Sequence, residues 1–319
     1  MDVAEAGTHT QSIIDEVGAA VISDRAFLET IMTSVVAGGH VLLEDVPGTG
    51  KTLTANSFAN ALGLQFSRIQ FTPDLLPADI TGSNIYNDAE STFEFVPGPI
   101  FANVVLADEI NRAPPKTQSA LLEAMEEGQV TVDGEEHDLP DPFFVIATQN
   151  PVEQEGTFPL PEAQVDRFWF KDSIGYPDRS GEKDLIDRRA DRQSSTPTVD
   201  PVVTTEEITR IQRLPESVTV DDDLRWFITD LARETRSHPA VDTGVSPRGT
   251  QRLFEVSRAR AVLDGRDFVT PDDVTTVAPA ALAHRLVLTA QARMDDRDKR
   301  AIVRELVERL DVPNVDGAE

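Results

Sequence analysis

Cysteine is absent from the 319 residues, which excludes disulfides, thiol nucleophiles and thiolate metal sites but fixes no compartment. Lysine is nearly absent too: Lys51, Lys116, Lys171, Lys183 and Lys299 are the only five, so the basic charge is almost all arginine. The 29 basic residues face 56 acidic ones, a net charge of −27. That excess opposes general binding to nucleic acid, which needs basic surface, although an arginine stripe lining a pore stays compatible. It fits a protein working in high salt, as in a halophilic archaeon, where dense carboxylate charge is screened and keeps the chain soluble. No apolar run approaches the roughly 20 residues of a membrane span. The start, Met1-Asp2-Val3-Ala4-Glu5, lacks the basic and apolar regions of a signal peptide, so a cytoplasmic location is expected. The histidines (His9, His40, His137, His238, His284) show no metal-ligand spacing, and no serine nucleophile elbow is present.

What is present is enough for two domains: 39% of the residues are hydrophobic, and glycine and proline are near average usage. Apolar residues from Ile13 to Val36 recur with helical spacing, ending at Gly38-Gly39. Residues 41–43, 65–70, 104–107, 143–147 and 167–171 read as strands, with helices at 53–62 and 115–126 between them, which predicts a parallel α/β sheet. Asp133-Gly134 marks a tight hairpin. Residues 178–203, including Ser194-Ser195-Thr196-Pro197, read as a linker between a core at 1–177 and a helical domain at 204–319. In that domain Thr270-Pro271-Asp272-Asp273 is a strong helix start.

The chemistry begins at residues 41–52, Val-Leu-Leu-Glu-Asp-Val-Pro-Gly-Thr-Gly-Lys-Thr. An apolar strand runs into a Gly-containing loop and then a helix, the order that lets backbone N–H groups and a helix N-terminus cradle phosphate. Lys51 can reach the β- and γ-phosphates, and the Thr52 hydroxyl is placed to ligate Mg²⁺. Asp45 stands where the phosphate-loop pattern has its first glycine, which requires its carboxylate to point away from the phosphates. Asp108 and Glu109 follow four apolar residues at a strand's end, where ligands gather on parallel sheets. Asp108 suits a metal held through water, and Glu109 suits activation of an attacking water. Asn150 ends another buried strand and can hold the water or the γ-phosphate. Arg167 sits at a helix-to-strand junction, either as a salt bridge to a carboxylate such as Asp166 or as an arginine finger into a neighbouring subunit. Arg248 follows Ser246-Pro247 at a helix start, a poor place for a cation unless an anion faces it.

These segments, together with Ala-Asp-Glu-Ile-Asn-Arg-Ala-Pro-Pro-Lys-Thr-Gln and Ala-Thr-Gln-Asn-Pro-Val-Glu-Gln-Glu-Gly, resemble the MoxR AAA+ ATPases from about residue 10 to 305. The resemblance implies a P-loop core with a five-stranded parallel sheet sandwiched by helices, a small all-α lid, and assembly into a ring, commonly a hexamer. It implies ATP as substrate with Mg²⁺, held through Asp45, Val46, Pro47, Gly48, Thr49, Gly50, Lys51, Thr52 and Leu53. Val21 and Ile22 would sandwich the adenine, although the family's Val-Val-Gly-Gln reads Val-Ile-Ser-Asp here. Lys51 and Thr52 take the Walker A roles, Asp108 and Glu109 Walker B, Asn150 sensor 1, Arg167 the finger and Arg248 sensor 2. Asp45 matches a frequent variant of the family's loop. Insertions matching 86–95 and 129–140 would face a pore.

The expected function is therefore ATP hydrolysis that remodels or matures client proteins, including metal-cofactor insertion or assembly of von Willebrand-domain complexes. The competing readings are a nucleic-acid translocase, opposed by the acidic charge, and a slow nucleotide-dependent binding switch, opposed by Glu109. The charge itself predicts that the unfolding midpoint rises through a KCl series; equal or greater stability in low salt contradicts high-salt adaptation.

Overall fold

Strands buried on both faces of a parallel sheet must be apolar without alternation, and residues 41–43, 104–107 and 144–147 meet that condition. All are buried in the computed structural model, which describes residues 1–152, 156–192 and 196–313. The chain opens with α1 (Val3–Ala20) and α2 (Arg25–Val36), then β1 (Val41–Glu44), α3 (Lys51–Ala61) and β2 (Phe66–Gln70). A short α4 (Pro77–Thr81) leads into a hairpin of β3 (Gly82–Asn87) and β4 (Thr92–Pro97). Next come β5 (Val104–Asp108), α5 (Pro115–Glu127), and a second hairpin of β6 (Gln129–Val132) and β7 (Glu135–Asp138). The core ends with β8 (Phe144–Gln149), α6 (Glu162–Val165) and β9 (Phe170–Asp172). Beyond it lie α7 (Arg179–Asp191), α8 (Thr205–Ile211), α9 (Asp222–Ser237), β10 (Val241–Thr243), α10 (Pro247–Leu263) and α11 (Pro271–Leu282). The last described elements are β11 (Val287–Leu288), α12 (Ala290–Met294) and α13 (Lys299–Arg309).

The sheet order is β2-β5-β8-β1-β9, all parallel. The loops leaving β1, β5 and β8 therefore share one edge of the sheet, the C-terminal one. One apolar cluster joins α1, α2 and α3 on one face of the sheet to the helices of the C-terminal part. A second fills the opposite face under α5 and the hairpins. Among the described residues no helix is long and apolar enough to cross a membrane.

Several details differ from the sequence expectation. The N-terminal helical pattern is two helices, broken at residues 21–24. Strand β9 begins at Phe170 rather than 167, because residues 166–169 turn into it. The segment expected as a linker carries α7, whose Arg188 Nη1 donates to the carbonyls of Gly18 and Ala19. Its end is stitched to the core as well, with Val202 N–H donating to Ala61 O and Val203 buried. Ser194-Ser195 of that segment, and Glu153-Gln154-Glu155 of the family-like stretch, lie outside the described residues. The lid is helical apart from the two-stranded ribbon β10–β11.

Helix termini follow local chemistry. The Thr270 and Asp273 side chains form a capping box at α11, and Ser246 Oγ accepts from Gly249 N–H at α10. Gly128 closes α5 in the left-handed conformation, φ 67°. Besides the apolar cluster they share, the lid is held to the core by polar contacts at β9 and the turn before it. Arg285 pairs with Asp166 at 3.0 Å and donates to Phe168 O, the His284 ring bonds the same carbonyl, and Arg300 pairs with Asp172 at 2.7 Å. Arg252 stacks 4.1 Å over Trp169. Trp169 also lies against Gly39, where a Cβ would come within 2.3 Å of the indole.

Buried His40 joins helix to sheet: Nε2 donates to Met125 O while Nδ1 accepts from Val145 N–H. Burial pushes its pKa down to about 4, and burial lowers that of His284 as well. The unfolded chain takes up protons at these rings below about pH 6.5 while the folded chain does not. Their contribution is therefore complete above that pH and is lost as pH falls toward 4, by about 3 kcal/mol for His40. Urea unfolding of His40→Gln between pH 7 and 4.5 should show a shallower loss than wild type; parallel pH slopes contradict this.

Candidate nucleotide site

After β1 the backbone makes two left-handed turns, at Gly48 (φ 91°) and Gly50 (φ 95°). A side chain at either would be strained, so glycine is what lets the loop curl ahead of α3. Lys51 opens α3 and folds back over the loop, its Nζ donating to the carbonyls of Asp45 and Val46 at 2.8 and 2.9 Å. Thr52, one residue further, is exposed at the helix's positive end. Thr49 Oγ1 closes the loop on Val46 O at 3.3 Å, while Pro47 lies exposed at the loop's tip and Leu53 packs toward the core.

Asp45 is buried and turned away from the loop's mouth. Its carboxylate accepts from Ser173 Oγ and from the Ile174 and Gly175 N–H groups at 2.8, 2.6 and 3.0 Å. The acid that replaces glycine thus anchors the loop to the chain leaving β9 and leaves the cradle to backbone N–H groups.

Register brings the acids to the same edge, because β8 separates β1 from β5 and is paired with both. Asp108 Oδ1 accepts from Thr148 Oγ1 at 2.7 Å and Oδ2 pairs with Arg68 at 2.7 Å. Glu109 leaves the strand in the left-handed region, φ 58°, a conformation unfavourable for any residue with a Cβ. The turn projects its carboxylate beyond the sheet, where Gln70 Nε2 and Arg112 Nη1 donate to it at 2.8 and 3.1 Å. Burial lowers the Lys51 pKa, and the carboxylates of Asp45, Asp108 and Glu109 oppose that effect. These acids therefore lie within electrostatic reach of the amine. Asn150 sits buried at the end of β8, its Oδ1 accepting from Val152 N–H, beside the Asp45 N–H to Gln149 O bond that ties the loop to β8. Thr52 and Asp108 are donor types that suit a divalent cation, a hydroxyl at a helix start and a hard carboxylate at the end of β5, the latter held here by Thr148 and Arg68.

Val21 and Ile22 fall in the break between α1 and α2. Val21 is buried in the core, and Ile22 is only partly covered, near Pro177 and the first turn of α7. A Cβ on Gly181 would come within 3.2 Å of Ile22 Cγ2, so α7 approaches this corner closely.

The two arginines are elsewhere. Trp169 N–H donates to the carbonyl of His40, the residue before β1, so Arg167 lies at the N-terminal edge of the sheet. Glu126 is in the last turn of α5 beside His40, and its carboxylate takes Arg167 at 3.0 Å and Arg248 at 2.9 Å. Residues 40–45 span about 16 Å along an extended strand, which separates this pair from Lys51. Arg248, the sensor 2 candidate, is beside Arg167 rather than at the edge that carries Lys51. The bland partner expected for Arg167, Asp166, is engaged by Arg285.

Arg68, Gln70, Thr148, Arg112 and Glu126 were missed by sequence reasoning. Arg68 and Gln70 did carry a signal, being alternate residues on a strand, which share a face. Glu126 carried none.

A phosphate loop, paired acids two strands away and a helical lid define a P-loop protein of the AAA class. Residues 40–170 match the profile of the "ATPase family associated with various cellular activities", and residues 233–306 match that of the "AAA lid domain". The chain is 48% identical over 300 residues to the uncharacterized protein YeaC of Bacillus subtilis, covering 94% of this chain and 93% of that one. It is 40% identical over 322 residues to chaperone MoxR1 of Mycobacterium tuberculosis, covering 98% and 85%. A crystal structure of a candidate ATPase from Cytophaga hutchinsonii superposes with a TM-score of 0.90 at 39% identity, covering 98% and 97%. The chain belongs to the MoxR family of AAA+ ATPases.

Asp45→Ala would leave one hydroxyl and two N–H groups without their acceptor. A loss of about 3 kcal/mol in urea unfolding is expected, and a loss below about 1 kcal/mol contradicts the anchoring role.

Proposed function

We propose that this protein hydrolyses ATP to ADP and phosphate within a ring of identical subunits, a hexamer on the family pattern, and uses the cycle to remodel or mature client proteins. The observation that carries the reading is that the loop of Lys51 and the acids Asp108 and Glu109 leave the same edge of the sheet, Thr148 of the intervening strand pairing in register with Leu43 and bonding Asp108. The loop N–H groups, Lys51 and the start of α3 hold the phosphates. Mg²⁺, bound by Thr52 and through water by Asp108, would supply charge neutralisation of the β- and γ-phosphates. Glu109, aimed by Gln70 and Arg112, takes the proton of the attacking water, and Asn150 orients that water. Ile22, partly open beside α7, lines the base, and Val21 supports it from the core.

The placement of Arg167 and Arg248 supports their acting on the nucleotide of an adjacent subunit, since both stand at the edge opposite their own loop. There they neutralise charge as the γ-phosphoryl leaves. The hairpins support the client role. Phe95 stacks on His137 at 3.8 Å and Asn84 donates to Asp133 at 2.9 Å, which ties the two hairpins together. The first also exposes Ile85, Tyr86 and Phe93, an apolar grip for an unfolded or partly assembled chain, including one bearing a von Willebrand domain.

Glu109→Gln is expected to keep ATP binding and lose turnover by roughly a hundredfold or more, and Lys51→Ala to lose binding itself. Unchanged turnover in Glu109→Gln would favour a binding switch, and tight ATP binding by Lys51→Ala would refute the site.

A further inference from the structure

Two charges near the N-terminal edge of the sheet are each misplaced on their own helix. Arg248 is the second residue of α10, where the positive end of the helix disfavours a cation. Glu126 is in the last turn of α5, where the negative end disfavours a carboxylate. They relieve each other, and Arg167 completes the arrangement: Arg248 Nη2 donates to Glu126 Oε1 and Arg167 Nη1 pairs with Oε2, while Arg167 also donates to Leu122 O at 2.8 Å. One small oxyanion therefore bridges both guanidiniums. That establishes that the two arginines, some 80 residues apart in sequence, can grip a single anion together. The group is accessible: the three side chains are 31–40% exposed and border a cavity of about 150 Å³ that Arg252 and Trp169 also line.

We infer that Glu126 positions Arg167 and Arg248 as one receptor by standing in for a phosphate, and yields them to the γ-phosphate of a neighbouring subunit's ATP. The inference rests on the proposed action of these arginines across a subunit boundary. A carboxylate and a phosphate repel at the same pair of guanidiniums, so engagement of the nucleotide displaces Glu126. Half-exposed ion pairs are individually weak, which makes the exchange inexpensive and reversible. Glu126 thereby sets how much ATP is needed to recruit the neighbour's arginines, while the chemistry stays with Glu109.

The test is ATP affinity of the full chain at protein concentrations that support turnover, in the Glu109→Gln background so that binding is read without hydrolysis. Adding Glu126→Gln removes the competing charge and should tighten binding of a fluorescent ATP analogue about three- to tenfold. Adding Arg167→Ala and Arg248→Ala to that protein should abolish the gain. Unchanged or weaker binding on adding Glu126→Gln overturns the inference, as does an equal gain without the arginines. A separate control tests the underlying reading: if Arg167→Ala and Arg248→Ala retain wild-type turnover with Glu109 intact, these arginines serve no nucleotide, whatever Glu126→Gln does.

Discussion

A parallel sheet has two chemically different edges, and that polarity governs everything else in this chain. Loops leaving the strands gather at the C-terminal edge, so the phosphate loop, the paired acids and Asn150 meet there from three separate strands. The strands' N-terminal ends gather Arg167, Arg248 and Glu126. No rotamer change carries a guanidinium the roughly 16 Å along the strands that separates the two edges. A subunit thus presents an anion cradle at one edge and an arginine pair at the other, which is the division of labour that a ring of identical subunits can use.

The lid grips the core with its arginines. They bind the turn ahead of β9 and the end of that strand: Arg285 on Asp166 and on carbonyls, Arg252 over Trp169, Arg300 on Asp172. Arg285 is buried enough that its pKa falls to about 10 despite the adjoining carboxylate. It still holds its proton at neutral pH, where this gives a charged, directional clamp. Arg167 sits in this clamped turn, between Asp166 and Phe168, so the finger candidate and the lid contacts share one short segment.

Much of this was legible in the residues. Buried strands announced themselves as unbroken apolar runs, and the phosphate loop by its glycines followed by Lys51-Thr52. The Asp45 carboxylate points away from the cradle, as its place in the loop requires, though its acceptor role toward residues 173–175 depends on a contact 128 residues distant in sequence. Other features were invisible for the same reason. Periodicity marks which face of a helix is apolar, but not which sheet edge a later domain will reach, so nothing in the residues puts Arg248 at the edge opposite Lys51. The linker reading failed to find α7 because that helix is charged all round and has no buried residue to create a pattern. Glu126 looked like one more acid in an acidic chain, and only its two partners distinguish it.

The central claim is that a working site is shared between two copies of the chain, and subunit mixing tests it directly. Lys51→Ala subunits keep their arginines but lack a cradle, and Arg167→Ala subunits keep the cradle but lack the finger. Each alone should be nearly inactive as an ATPase, and mixing them should restore a substantial fraction of wild-type turnover, because one kind supplies what the other lacks. Mixtures no more active than the sum of their parts would contradict the account.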